Sequence, residues 1–144
     1  MQSSTLQALM SGNMKDQVTA FEAAEAGIRA AEEFLDSRAF SLSEFDNDKS
    51  DGLLSNLYDN VWEHIDWPTE SKAGPTINGV NSPPLFVIQY LGPILPEDDP
   101  INLENDYNEG TETIIAQYFR ITARGTGSSD NSIVVLESVY GIAN

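Results

Sequence analysis

The chain has 144 residues, enough for one domain of ordinary size that buries its own core without metals or cross-links. A set of 23 acidic residues against seven Lys and Arg gives a formal net charge of −16, an acidic field that repels phosphate backbones and anionic lipid heads and sets nucleic acid aside as a partner. There is no cysteine, which excludes disulfides and thiolate metal sites, and no apolar run approaches the roughly 20 residues that span a bilayer.

From Ser3 to about Asp36 there is no proline, and apolar residues recur at Leu6, Met10, Met14, Val18, Phe21, Ala24, Ile28, Ala31 and Leu35. Steps of three and four predict one amphipathic helix. Ser3 or Ser4 is placed to cap its start, and Ala23, Ala24, Ala26, Ala30 and Ala31 supply helix propensity. At ~1.5 Å per residue the helix is roughly 50 Å long, which is long for a domain of this size. Gly12, next to Asn13, is the expected weak point, since Gly in a helix interior costs about 1 kcal/mol relative to Ala. The apolar face carrying Val18, Phe21, Ile28 and Leu35 is the one expected to lie on the sheet. Leu6, Leu9, Met10 and Met14, ahead of it, are expected to stay uncovered.

Residues 37–84 read as a loop-rich connection. Asp46-Asn47-Asp48-Lys49-Ser50-Asp51-Gly52, then Pro68, Gly74, Pro75, Gly79, Pro83 and Pro84 punctuate it too often for a long helix, leaving room for a short turn or two between Asn56 and Ile65.

Residues 85–144 carry the strand signals. In Leu85 to Leu91, Gln89 breaks an apolar run and predicts that Phe86, Ile88 and Tyr90 face inward, with Gly92 and Pro93 ending the strand. The acidic stretch from Pro96 to Thr113 reads as a solvated loop. Ile115 to Arg124 alternates so that Ile115, Gln117, Phe119, Ile121 and Ala123 face the core, with the even positions mostly toward water. In Ser132 to Ile142, Glu137 points out and Val134, Leu136 and Tyr140 point in. The order is one helix followed by strands, an α+β pattern with a single domain over 1–144: helix 3–36, connection 37–84, and an antiparallel sheet of three or four strands over 85–144.

Candidate chemistry is sparse. The run Asp46 to Gly52 resembles a calcium loop, but Gly52 falls at the seventh place where the sixth is needed, and Leu57 stands at the twelfth where a bidentate Glu belongs. An acidic turn is the better reading. His64 lies among Trp62, Glu63, Asp66 and Trp67, with no cysteine and no Gly-x-Ser-x-Gly elbow to make it a catalytic base; a partly exposed histidine beside two core tryptophans accounts for it. Gly125-Thr126-Gly127 sits between two strands, so it is a hairpin turn and not a dinucleotide loop. No catalytic, cofactor or metal residue is assigned, and the chain is read as a non-enzyme.

Three sets of residues resemble one family. Ser3-Ser4-Thr5-Leu6-Gln7, Gly12-Asn13-Met14 and Ala20-Phe21-Glu22-Ala23-Ala24-Glu25-Ala26 resemble the helix of PilX-family minor pilins of type IV pili. Phe86-Val87-Ile88-Gln89-Tyr90-Leu91-Gly92 is similar to that family's first strand, and Tyr118 to Gly127 with Val134-Val135-Leu136-Glu137-Ser138 to its last hairpin. The resemblance implies a pilin fold and a leader peptide and apolar membrane helix ahead of Met1. It implies passage from the inner membrane, with the domain in the periplasm, to an extracellular pilus. It also implies other minor pilins, the major pilin and a large tip adhesin as partners, with roles in pilus assembly, adhesion and twitching motility. The cysteine pair that staples the C-terminal region of some relatives is missing. Two other readings remain: a minor pseudopilin of type II secretion, and an extracellular calcium- or sugar-binding module using Asp46, Asp48, Asp51 and the two tryptophans.

Overall fold

A computed structural model describes residues 2–48, 51–56, 60–94 and 116–143, with side chains from Thr5 onward. The expected loop from Pro96 to Thr113 and the inward Ile115 lie outside these residues.

The helix α1 spans Gln2–Ser37 and runs through Gly12 without interruption. Ser3 and Ser4 fall inside its first turn, so neither is the cap. At the other end Arg38 adopts a left-handed conformation, φ 56°, and its N–H donates to the Leu35 carbonyl at 3.1 Å, closing the last turn as a Gly does elsewhere. A 3-10 turn at Leu42–Glu44 follows, with the Ser41 N–H donating to the Glu44 carboxylate at 3.0 Å.

The connection contributes more order than its turn formers suggest. It holds β1 (Leu53–Leu54), two single-turn helices α2 (Val61–His64) and α3 (Trp67–Glu70), and β2 (Lys72–Ala73). The long strands are β3 (Leu85–Ile94), β4 (Ala116–Thr126) and β5 (Ile133–Ala143). Among the described residues the sheet therefore has five strands where three or four were expected, in the order β1-β3-β4-β5 with β2 also against β3. Both short strands use the edge of β3 opposite β4. β2 pairs antiparallel with Leu85 and Phe86, and β1 pairs parallel with Ile88 and Gln89, which makes the sheet mixed.

Strand β3 does not end at Gly92 and Pro93. The pairing with β4 slips by one residue between Tyr90 and Gly92, and this bulge, with Gly92 at φ 137°, lets β3 continue to Ile94. The β4–β5 hairpin then runs in unbroken register from Ala116↔Ala143 to Thr126↔Ile133.

On the helix side of the sheet, Ala31 and Leu35 pack with Phe86, Ile88, Phe119, Ile121 and Ala123. Phe40, Phe45 and Tyr90 surround Phe119 with ring centroids 5.3 to 5.7 Å away. The inward sets read from sequence are placed as expected at Phe86, Ile88, Phe119, Ile121 and Ala123; Gln117 is only half-buried. The opposite face is not simply wet. The connection folds over β3 there, so Val87 packs with Leu54 and Val61 in a second small core. Gln89, expected outside, is 1 % exposed, with its side-chain amide donating to the Ser55 carbonyl at 3.3 Å. Thr122 is buried too, its hydroxyl donating to Glu137 at 3.4 Å.

Candidate functional site

Two carboxylates of the Asp46–Gly52 turn are spent on nearby backbone. Asp46 accepts from the Asp48 N–H and Asp51 from the Leu53 N–H, both at 2.9 Å. Asn47 accepts from the Ser55 hydroxyl at 2.7 Å, and the Gly52 carbonyl accepts from the Ile88 N–H at 2.9 Å. The turn thereby launches β1 onto β3. Residues 49 and 50 lie outside the described set; among the described residues no group of three or more His, Asp or Glu is arranged to hold a metal ion.

His64 ends α2 and is exposed, as is Trp62. Only Trp67 enters the interior, which corrects the expectation of two core tryptophans. The hollows between Met14 and Val134, between Arg38 and Ile142, and between Pro68 and Asp130 are lined neither by His64 nor by the acidic turn.

The organised feature of the molecule is the seam between α1 and the β4–β5 hairpin. Small residues make it: Ala20, Ala23, Ala24 and Ala31 are buried on the helix. A Cβ on Gly27 would meet the Ala123 Cβ at 3.1 Å, and one on Gly125 would lie 2.9 Å from the Ala23 carbonyl carbon and closer still to Ala20 O and Ala24 N. A Cβ on Gly127 would strike Asp16. Helix backbone and strand backbone are thus nearly in contact, a distance only glycine permits. Gly125 and Thr126 belong to β4, and the hairpin loop begins at Gly127.

This close approach corrects part of the assignment of the docked face. Val18 is 57 % and Phe21 43 % exposed, because at their level the helix meets the sheet through its alanines; further along, Leu35 is buried and Ile28 packs against the core, as expected. Val18, Phe21 and Met14 line one wall of a groove of about 530 Å³ whose other wall is Asn131 to Val134.

Polar contacts pin both ends of the seam. Asp16 accepts from the Ser128 N–H at 2.7 Å, the Ser128 hydroxyl at 2.6 Å and the Ser129 hydroxyl at 3.2 Å. The Ser128 hydroxyl, with Ser132 and the Ser128 N–H, holds the Asp16 carboxyl down to about 2. At the far end the Tyr140 hydroxyl donates to Asp36 at 2.8 Å, which raises the phenol above its ordinary value, and Arg38 donates to the Ala143 carbonyl. Before Asp16 the helix leaves the sheet, and Leu6, Leu9, Met10 and Met14 are all exposed. These four were legible as uncovered from the sequence; Asp16 and the glycines of the seam were not, since a Gly-Thr-Gly run beside a turn gives no sign of which helix lies across it.

Among the described residues no helix is long and apolar enough to cross a membrane. The PilX family model, described as Type IV pilus assembly protein PilX C-term, matches residues 14–142 of the chain. No curated protein and no solved structure matches. The matched span begins two residues before Asp16, so it coincides with the docked body of the molecule.

Proposed function

The chain belongs to the PilX family of type IV pilus assembly proteins, and on that premise we propose that it is a minor pilin working as a non-enzymatic subunit of the complex that primes pili and occupies their tip. The observation that carries this reading is the undocked start of α1. The helix is about 54 Å long at ~1.5 Å per residue, whereas the 11-residue strands reach about 36 Å at ~3.3 Å per residue. The overhang of roughly 20 Å is lined by Leu6, Leu9, Met10 and Met14, a surface that a fibre of packed helices would bury.

In this reading the domain stands in the periplasm on a membrane-anchored helix that continues α1 ahead of Met1, and it reaches the cell exterior on the assembled pilus. Other minor pilins and the major pilin are its partners, and a large tip adhesin is displayed through the complex. Tethering in the membrane raises effective concentration, so modest contacts between domains suffice for assembly. The test is deletion of the gene, followed by counts of surface pili and measurement of twitching. Loss of both, restored by the full-length protein and not by residues 14–142 alone, is the expected result. Normal piliation and movement in the deletion strain, with no second copy of the gene, would overturn the reading.

A further inference from the structure

The outer edge of the sheet is built to accept another strand. Among the described residues β5 pairs with β4 alone, so a row of its backbone donors and acceptors faces away from the sheet, with the last carbonyl of that row, at Ala143, taken by the Arg38 side chain. Natural edges are blunted by being short, by a bulge, by Pro, by a covering helix or loop, or by charged side chains, Lys above all. β5 is weakly blunted: it is 11 residues long, in unbroken register, without Pro or Lys, and Glu137 is its sole charge.

Two further features lie along this edge. Between α1 and the start of β5, the groove beside Met14, Val18 and Phe21 opens alongside Ile133 and Val134. At the other end of the strand, Asp36 and Glu32 stand by Tyr140. The two ends are six residues apart on the same face, roughly 20 Å. An added strand would therefore place an apolar side chain in the groove and, six residues along, a side chain against two carboxylates.

We propose that β5 is the acceptor edge for an extended segment of another protein, which adds as a sixth strand with alternating apolar residues toward α1 and a Lys or Arg opposite Glu32 and Asp36. Backbone pairing supplies adhesion and the alternate side chains supply selection. A second copy of this chain is a poor occupant: each copy carries −16, and its own β5 offers Glu137 and no basic residue. The proposal stands on the sheet edge and holds whether or not the assembly is a pilus, so its test is separate from the deletion experiment.

The probes are two capped peptides of about nine residues, alternating valine and threonine, with a lysine on the valine face at one end or the other to cover both strand directions. Hydrogen exchange on the 144-residue chain is followed with and without each peptide. The expected result is that one peptide slows every second amide of β5 by at least about tenfold while the intervening ones, already bonded to β4, are unchanged. Methylating alternate peptide nitrogens should abolish the effect, and Phe21→Glu should weaken binding at least about tenfold through the groove alone. Phe21 is exposed, so this variant leaves the fold in place. Three outcomes would overturn the proposal: no binding of either peptide, binding that survives methylation, or β5 edge amides already protected in the free chain.

Discussion

From Thr5 to Lys15, α1 presents leucines and methionines to solvent; from Asp16 to Ser37 it buries mostly alanines. The first half leaves its large apolar residues uncovered, whereas most of what the second half buries outright is alanine, with Leu35 the large exception. What differs is the distance to the sheet. Gly27, Gly125 and Gly127 let the two backbones approach until only methyl groups fit between them, so the docked half gains many short dispersion contacts where bulk would have held the surfaces apart. Burial on this helix follows from what the partner strand lacks as much as from what the helix carries. Polar clips then mark the limits of docking, Asp16 at one end and Asp36 with Arg38 at the other.

Substitutions on the two halves should separate by size of effect. Leu35→Ala, which opens a cavity in the docked half, is expected to cost about 2 to 5 kcal/mol in chemical denaturation. Gly125→Ala inserts one methyl against the helix backbone and should cost about 1 to 3 kcal/mol, with near-ultraviolet circular dichroism reporting loosened packing. If it proved neutral, the close approach of helix and strand would not be the source of stability. Phe21→Ala should cost less than about 1 kcal/mol, because its ring is half in solvent. Met10→Ser, on the undocked half, should stay within about 0.5 kcal/mol of the parent.

The Asp16 clip sharpens the same boundary by pH. Its carboxyl is depressed from an ordinary 3.8 to about 2, so its contribution is complete above about pH 4 and is lost as pH falls through about 2. In nuclear magnetic resonance the Ser128 amide should therefore shift with a midpoint near 2, and Asp16→Asn should speed amide exchange in residues 128–132 while leaving Ile121 and Ala123 protected. A Ser128 midpoint near 3.8 would mean the clip is not closed in solution.

Periodicity read the existence of α1, its length and its uncovered start correctly, because these depend on local residue spacing. Of the face it assigned to the sheet, Ile28 and Leu35 are inward and Val18 and Phe21 are not. Val18 and Phe21 share a stripe with Leu35, and only the position of β4, set by contacts more than a hundred residues away such as Asp16 with Ser128, decides that the alanines turn inward. Gln89 was misplaced for a related reason: a single polar residue in an apolar strand marks a wet face only if that face stays open, and here Leu54 and Val61 pack on neighbouring Val87 while Ser55 accepts from the Gln89 amide. The two-residue strands β1 and β2 carry no pattern long enough to be read at all. Of the candidate chemistry, the acidic turn is legible as a turn because its Asp and Gly spacing is local, whereas the seam between Gly125 and Ala20 is a property of two segments that only the fold brings together.

The most direct test of the account places a photo-crosslinking residue at Met10 in the full-length protein, expressed in cells that are assembling pili, with Leu42 as an exposed control on the docked body. Adducts joining Met10 to other pilus subunits, absent or much weaker at Leu42, are the result expected if the undocked half of α1 is an assembly surface. Piliated cells that yield no subunit adduct from Met10, while the protein is present and folded, would contradict it.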